Sequence, residues 1–438
     1  MSQKNPMTAA QEDAALRERL LAAQAAAPPS RSADPARPHP DLKAAWDEYH
    51  AVLDEVRVML ENTVMFEDPR NRAKMYHQLM EIQAMAYNFT IASRLEVPRI
   101  GNNTFFMTNI YTMGSLAPEI VYGIMLLDSR QTYVLSGRRG DAFMCLFQGT
   151  NKLHALGDDS AVTGSYDIND MEVAADGRYE IVVGGPERPG NWIPLDPACP
   201  YHSFTIRRLY RDPGYDDLGE IRIRMISTVD RAHYDFDEFD ELAMAERIRR
   251  AAQFVRFYVQ DMPIGLYDFT MTCTQGQTNR MALIPGLTLS AGSPVSRYAL
   301  GRWTIADDEA VLVEFAQSPK SAYWSLMLGD SWTRSLPFNY WQSSLNNGQA
   351  RVDGDGRTRL LISKQDPGIA NWLDTTGRND GAIIFRNYAA EMATVPELTL
   401  VKLADLPTLL PHAARVTARE RQTAIDRRRE GYIRLYGE

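Results

Sequence analysis

The chain has 438 residues, 45% of them hydrophobic and 24% charged, with a formal charge of −9 at pH 7. This is globular composition with room for two or three domains. Its acidic balance disfavours a nucleic-acid partner, because no face would hold enough Lys and Arg to neutralise many phosphates.

Residues 1–40 are rich in Ala and Pro and end in AAAPPSRSADPARPHPD. A short helix over Glu12–Ala26 and then a disordered linker are expected. Asp41 can cap a helix with Leu42, Trp46, Tyr49, Leu53, Val56 and Leu60 at helical intervals. Asp68-Pro69 starts a second helix, with Met75, Leu79, Ile82, Met85, Ala86 and Phe89 on one face. That Met-rich stripe reads as core rather than as a cofactor contact. From Ile100 short apolar runs alternate with Gly, Asp and Asn, the pattern of strands: Tyr133–Ser136, Ala142–Gln148, Tyr179–Val183, Ser203–Tyr210 and Ile221–Thr228. A helix over Phe236–Gln260 interrupts them, acidic in its first turns and Arg-rich later. Strand-like runs resume at Glu309–Phe315, Ala322–Leu328, Thr358–Ser363 and Ala382–Tyr388, and Thr417–Tyr436 reads as an Arg-rich helix.

Two stretches echo each other. DGRYEIVVGGPERPGNWIPLDPACPYHSFTIRRLY runs from Asp176 to Tyr210, and DGRTRLLISKQDPGIANWLDTTGRNDGAIIFRNY from Asp355 to Tyr388. Both read DGR, apolar strand, Gly/Pro turn, Asn-Trp, polar loop, second apolar strand, Arg and Tyr. Such long-period similarity suggests duplication. The expected fold class is α+β: a helical N-terminal layer, then two jelly-roll-like antiparallel β-sandwich units joined by a helix. The expected divisions are a 1–40 tail, a 41–99 helical layer, a 100–235 first unit, a 236–262 bridging helix, a 263–412 second unit and a 413–438 basic helix.

The second echo, with YWQSSLNNGQARVDGDGRTRLLIS upstream, resembles the bacterial family named Domain of Unknown Function 1214, and YVLSGRRGDAFMCLFQ (Tyr133–Gln148) looks like segments of its full-length members. The resemblance covers roughly residues 41–430 and is strongest over 300–390. It implies a helical, mixed N-terminal part before a jelly-roll-like β-domain, and no settled reaction. The chain departs from the family at Asn387, where members often have Trp after the Arg matching Arg386.

The strong catalytic signatures are missing: no GxSxG elbow, no GxxxxGK[ST] loop, no GxGxxG after a strand, no HExxH. The three cysteines, Cys145, Cys199 and Cys273, form no CxxC pair, and the seven His have no close ligand spacing. VDGDGR at 352–357 is half a calcium loop without the later Glu, and a DG hairpin turn is the plainer reading. No cofactor and no metal are expected. No apolar run approaches the ~20 residues that span a bilayer, and the start has no apolar segment after its lysine. No membrane partner is expected, and the location expected is cytoplasmic.

What remains is a polar–aromatic constellation. Tyr340 and Trp341 follow a Pro turn. Asp366, Asn371, Trp372, Asp374 and Arg386 belong to the Asn-Trp corner and the strand after it, and Arg138 and Arg139 lie in the SGRRGD turn. Arg forks bind anionic groups bidentately, and aromatics supply an apolar wall. The candidate site therefore has Asp366, Asp374 and Arg386 as catalytic residues. Arg138, Arg139, Tyr340, Trp341, Asn371 and Trp372 would contact substrate. The plain alternative is structural: Trp372 caps the sandwich, Asn371 bonds loop backbone, Arg386 pairs with Asp374, and Arg138 and Arg139 bond turn carbonyls. A second candidate is a His77–Glu81 dyad on one helix face, with an ion pair as its plainer reading. The function these residues suggest is a cofactor-independent hydrolase, lyase or isomerase acting on a small, partly apolar metabolite. One alternative is a non-catalytic binder of a glycan or amphipathic ligand, stacked on Trp324, Trp332, Trp341 and Trp372. The other is a structural protein assembling as a homo-oligomer.

Overall fold

The computed structural model describes residues 40–93, 98, 100–102, 112, 114, 117–152, 156, 161–199, 201–212, 217–227, 240–284, 296–316, 323–388 and 395–436. The helix expected over Glu12–Ala26 and the linker after it lie outside these residues. Helix α1 (Pro40–Glu61) buries Ala45, Val52, Val56 and Leu60. Its apolar stripe is rotated from the expected one, for Trp46 is 55% exposed. Helix α2 (Pro69–Ala86) starts at Asp68, whose carboxylate accepts the Arg70 backbone N–H at 2.9 Å. Its Met75, Leu79, Ile82 and Met85 are buried, so the methionine stripe is core. Helix α3 (Glu241–Val259), capped by Asp240, packs back on both. Arg256 of α3 pairs with Glu55 of α1 at 2.7 Å. The helix expected as a joint between β units thus also completes a three-helix layer.

Each β unit is a pair of sheets. The first contains β1 (Gly101–Asn102), β2 (Ile120–Asp128), β3 (Thr132–Arg138), β4 (Met144–Thr150), β5 (Val162–Asp167), β6 (Arg178–Gly184), β7 (Trp192–Ile193), β8 (Tyr201–Leu209) and β9 (Glu220–Met225). Its strand orders are β1-β2-β8-β4-β5 and β7-β6-β3-β9. The second contains β10 (Arg280–Leu283), β11 (Ser296–Thr304), β12 (Glu309–Ala316), β13 (Tyr323–Gly329), β14 (Ser344–Asn346), β15 (Arg357–Ser363), β16 (Trp372–Asp374), β17 (Asp380–Tyr388) and β18 (Glu397–Lys402). Its orders are β10-β11-β17-β13-β14 and β16-β15-β12-β18. Adding nine to every strand number turns the first pair of orders into the second. Among the described strands, the one parallel pair in each unit, β6–β7 and β15–β16, also corresponds. The chain is α+β, as expected.

Strand alternation decides what faces what. Inward residues fill one core per unit: Leu127, Tyr133, Phe147, Ile181 and Phe204 in the first, and Trp303, Val313, Trp324, Ile362 and Phe385 in the second. The outer faces of the two larger sheets meet each other through Ile120, Tyr122, Leu146, Tyr323 and Tyr388. Ile124 of the first unit and Trp332 of the second both join the helical core. Trp332 Nε1–H donates to the Asn71 carbonyl of α2 at 2.9 Å. Helix α4 (Leu266–Cys273) places Leu266 on Leu300 and Ile384. Helix α5 (Ala418–Tyr436) crosses the second unit and brings Tyr432 to the junction, edge-on to Phe338 at 5.0 Å. No helix of the described residues is long and apolar enough to cross a membrane.

Candidate functional site

The Asn-Trp corner satisfies itself. Asn371 donates to the Arg351 and Arg359 carbonyls at 2.7 and 2.9 Å and accepts the Arg351 N–H at 2.8 Å. Trp372 is 5% exposed and donates to Ser363 Oγ at 3.0 Å. Above its ring lies Arg421 of α5, 5.1 Å from the centroid. Arg421 Nε donates to Asp366 at 2.9 Å and Nη1 to Gln342 at 3.2 Å. Asp374 Oδ1 accepts the Thr376 N–H at 2.7 Å, and burial, more than nearby Asp366, pushes its carboxyl up. Asp366 and Asp374 thus hold loop geometry. Arg386 lies elsewhere, on the larger sheet, so the Arg386–Asp374 pair weighed from sequence gives way to other partners. The first unit repeats the corner: Asn191 donates to Glu172 and Glu180 carbonyls at 2.8 and 3.0 Å, and Trp192 Nε1 to the Gly184 carbonyl at 3.1 Å.

The remaining expected contacts are scattered. Arg138 pairs with Asp217, Nη2 to Oδ1 at 3.1 Å, and this guanidinium holds the Asp217 carboxyl down at about 2. Gly140 turns the chain at φ +62°, where a Cβ would meet the Asp217 carbonyl at 2.2 Å. Arg139 donates to the Ala142 and Phe143 carbonyls at 2.8 and 3.1 Å. Arg138 also edges a surface groove of ≈ 1260 Å³ with Glu180, Val182, Asn191 and Arg222. Tyr340 and Trp341 are exposed neighbours, ring centroids 5.8 Å apart, with Arg429 over Tyr340 at 5.1 Å. Of the four tryptophans considered for sugar stacking, Trp324, Trp332 and Trp372 are buried and only Trp341 is exposed. Asp353 and Asp355 of the half calcium loop both pair with Arg359, at 2.6 and 2.7 Å. Among the described residues no group of three or more His, Cys, Asp or Glu could hold a metal ion.

Arg386 leads to a place where polar chemistry converges at depth. On β17 it stands opposite Tyr298 of β11, with its guanidinium 5.9 Å from that ring, and Nη1 approaches Met327 Sδ at 2.8 Å. On the first unit Arg207 of β8 stands opposite Tyr122 of β2, and Nη1 donates to Gln148 of β4 at 2.9 Å. The two arrangements match strand for strand. Arg207 and Arg386 are 4% and 6% exposed. Because the two larger sheets face each other, both pairs open onto the same junction. Burial raises the Tyr122 phenol, while Arg386 and Arg207 both pull it back. Tyr388 is raised well above the usual phenol range by burial, and the same two guanidiniums pull it down.

A buried carboxyl completes the junction. Glu119, fully buried, accepts from the Tyr323 hydroxyl at 3.2 Å and from Ser344 Oγ at 3.3 Å. Burial raises it, and the opposing charge is Arg428 of α5. Sequence reasoning found Arg386 but missed Tyr122, Arg207, Tyr298 and Glu119. The signal was available in part: Arg207 and Arg386 occupy the same place in the two echoed stretches. Their tyrosine partners lie on β2 and β11, strands the turn signals did not mark.

Residues 305–392 match the family model described as "Protein of unknown function (DUF1214)". The resemblance read from the sequence is borne out on that segment. The DUF1214 segment holds the second Asn-Trp corner and Arg386, whereas Tyr298, Tyr122 and Arg207 lie before it. Among solved structures the chain is similar to a putative uncharacterized protein from Burkholderia cenocepacia. The two are 26% identical with a TM-score of 0.74, over 84% of this chain and 99% of that one. It is also similar to the VPA0106 protein from Vibrio parahaemolyticus, 12% identical with a TM-score of 0.44, over 75% of this chain and 98% of that one. No curated protein matches.

Proposed function

We propose that the junction binds a small, partly apolar organic anion and that the chain is an enzyme acting on it by proton transfer alone. The observation behind this is the matched pair of Tyr–Arg couples, Tyr122–Arg207 and Tyr298–Arg386, brought from two units to one buried place. Guanidinium forks suit a carboxylate, and their charge is permanent. Ile120, Leu146, Leu300 and Ile384 supply apolar neighbours. A phenol kept neutral by burial is a proton donor to an oxygen that gains negative charge, and Tyr122 holds that position next to both cations. Hydrolysis, elimination and isomerisation are all within reach of such a set, and none of them requires a cofactor.

A melting-temperature screen against aliphatic and aromatic carboxylates tests the binding. A ligand at a hundred times its dissociation constant stabilises by about 2.7 kcal/mol, and Arg386→Gln or Arg207→Gln should each remove that gain. Tyr122→Phe should keep the binding and lose turnover of the hit. If no organic anion shifts the wild-type chain, the reading fails. If Tyr122→Phe turns over as well as wild type, its proton-transfer part fails.

The same symmetry supports a second proposal, that the two β units descend from one duplicated unit. Their strand orders correspond throughout, and both Asn-Trp corners make the same bonds.

A further inference from the structure

Away from the junction, a second cluster lies in the seam between α2 and two loops of the second unit. Each loop contains a β-branched residue in left-handed backbone, Thr333 at φ 60° and Thr376 at φ 54°, a conformation such residues avoid unless the surroundings impose it. Two aspartates impose it here. Asp330 Oδ1 accepts the N–H groups of Trp332 and Arg334 at 3.0 and 3.1 Å, and Asp374 Oδ1 accepts that of Thr376 at 2.7 Å. Soon after each strained residue comes an arginine, Arg334 and Arg378.

Arg378 sits close enough to repel both Arg334 and Lys74 of α2. Burial lowers Lys74 and Arg378; Arg378 adds to this at Lys74 and Arg334 at Arg378, while Asp330 and Asp380 pull both back up. Arg334 Nη2 donates to Glu81 Oε1 at 3.1 Å and lies 3.1 Å from His77 Nδ1. Arg378 Nη1 donates to Thr376 Oγ1. Yet the Nε of Arg334 and the Nε of Arg378 are both buried with no acceptor among the described residues. Among the described residues Lys74 has only a long bond to Asn71, 3.4 Å. Nearby carboxylates do not fill those positions. Asp330 uses Oδ1 on loop backbone, and Asp380 accepts from the Ser331 hydroxyl at 3.3 Å and stands 3.9 Å from Arg70. Desolvated donors without acceptors are rare in folded proteins.

We propose that this seam is a second binding site, for a phosphoryl group held by the Nε–H of Arg334, the Nε–H of Arg378 and the ammonium of Lys74. Three donors on three separate elements, a helix and two loops, suit a tetrahedral oxyanion better than a planar carboxylate, which a single guanidinium fork can satisfy. The His77–Glu81 couple seen in the sequence is then the outer support of Arg334 rather than a free dyad.

The test is a titration at fixed ionic strength with inorganic phosphate, glycerol 2-phosphate and acetate, read by calorimetry and by melting temperature. A saturable response to phosphate and glycerol 2-phosphate is expected, with little to acetate once Arg386→Gln has disabled the junction. A response to glycerol 2-phosphate alone also supports the site and identifies the ligand as a phosphomonoester. Arg378→Gln should weaken binding by about tenfold or more, the loss of one charge-assisted hydrogen bond. Lys74→Gln, at a half-exposed helix position, provides the same test should Arg378→Gln fold poorly. Arg386→Gln, which alters only the junction, should respond like wild type. The proposal is overturned if neither phosphate compound binds saturably, if acetate binds Arg386→Gln as well as phosphate does, or if both seam variants respond unchanged. Loss of the response in Arg386→Gln would also overturn it, by moving the anion to the junction.

Discussion

On the first β unit the outer face of the smaller sheet looks onto the groove of ≈ 1260 Å³ lined by Arg138, Glu180, Val182 and Arg222. On the second unit the same face is roofed. Leu406 and Leu410 pack there on Leu312, Leu361 and Ile369. The strap is tied down by backbone bonds, Ala370 N–H to the Ala414 carbonyl at 2.8 Å and Val416 N–H to Gly368 at 2.9 Å. Helix α5 then adds Arg421 over Trp372, while Trp192, its counterpart, stays half-buried. The same strand order has thus been finished in two ways. What is common to both units, the Asn-Trp corners, is framework. What differs, or what exists only because two units face each other, is where function is better sought.

The largest test of that contrast uses positions that correspond by their bonds. Leu361 N–H donates to the Asn371 carbonyl and Val182 N–H to that of Asn191, both at 2.9 Å. Leu361 is fully buried under the roof, while Val182 is a wall of the groove. Leu361→Asp should cost about 3–5 kcal/mol, because an unpaired carboxylate has no place under a leucine roof. Val182→Asp should stay within about 1 kcal/mol, as at a wetted surface position. Urea midpoints of the two variants decide it. Equal costs would mean that the groove is covered in solution or that the roof is not packed.

Next in size is the arginine that closes the roof. Arg421 has 7% of its side chain exposed and faces Asp366, which has 31%. Arg421→Ala removes the charge partner of a part-buried carboxylate, takes the donor from the Gln342 amide oxygen, and leaves the Ala370 carbonyl with the Gln342 amide alone at 3.3 Å. A loss of about 2–3 kcal/mol is expected, discounted from the fully buried case for the water that reaches Asp366. A loss below about 0.5 kcal/mol in a urea titration would place Arg421 among ordinary surface ion pairs.

The contrast also explains what could be read from the sequence. Strands bounded by Gly, Asp or Asn turns were legible, among them Arg178–Gly184, Arg357–Ser363 and Asp380–Tyr388. The loop-backbone bonding of Asn371 was legible only as the plain alternative to a substrate contact. β2 and β11 were not seen. Both faces of β2 are covered, one by its own core and one by the helices and the junction, so Ile120–Asp128 reads IVYGIMLLD with no polar alternation to mark it. The candidate site was missed for the same reason. Arg386 is visible in the repeat, but its partners come from unmarked strands and from the other unit. The pairing with Asp374 was a guess from nearness in sequence, and the sheet separates the two. Arg421 was hidden in an Arg-rich helix most of whose other charges, Arg428 apart, lie at the surface.

A smaller effect compares the two corners directly. Asn371 is 6% exposed and Asn191 is half-buried, yet each makes the same three backbone bonds. Asn371→Ala should cost about 2 kcal/mol and Asn191→Ala about 1 kcal/mol, the difference reflecting water that can replace the lost partner at the open corner. Equal losses would mean that the roof adds nothing to the bonds beneath it.

The smallest effect is the one that depends on pH. Glu119 lies at the junction that neither unit forms alone, and its carboxyl is raised by burial. The folded chain therefore holds that proton more tightly than the unfolded chain does. Glu119 favours folding most when pH is below the unfolded carboxyl range, about 4.3, and that contribution is lost as pH rises through the folded value. Glu119→Gln keeps a neutral, hydrogen-bonding group between the Tyr323 hydroxyl and Ser344 Oγ and does not titrate. Near pH 4 the variant should match wild type or fall slightly below it. By pH 8 it should be more stable, by up to about 1 kcal/mol, since Arg428 offsets part of the burial cost. Melting temperatures of both proteins across this range give the sign. A difference that stays flat would mean that Glu119 is ionised throughout and paired with Arg428, leaving the phenols as the proton-bearing groups of the junction.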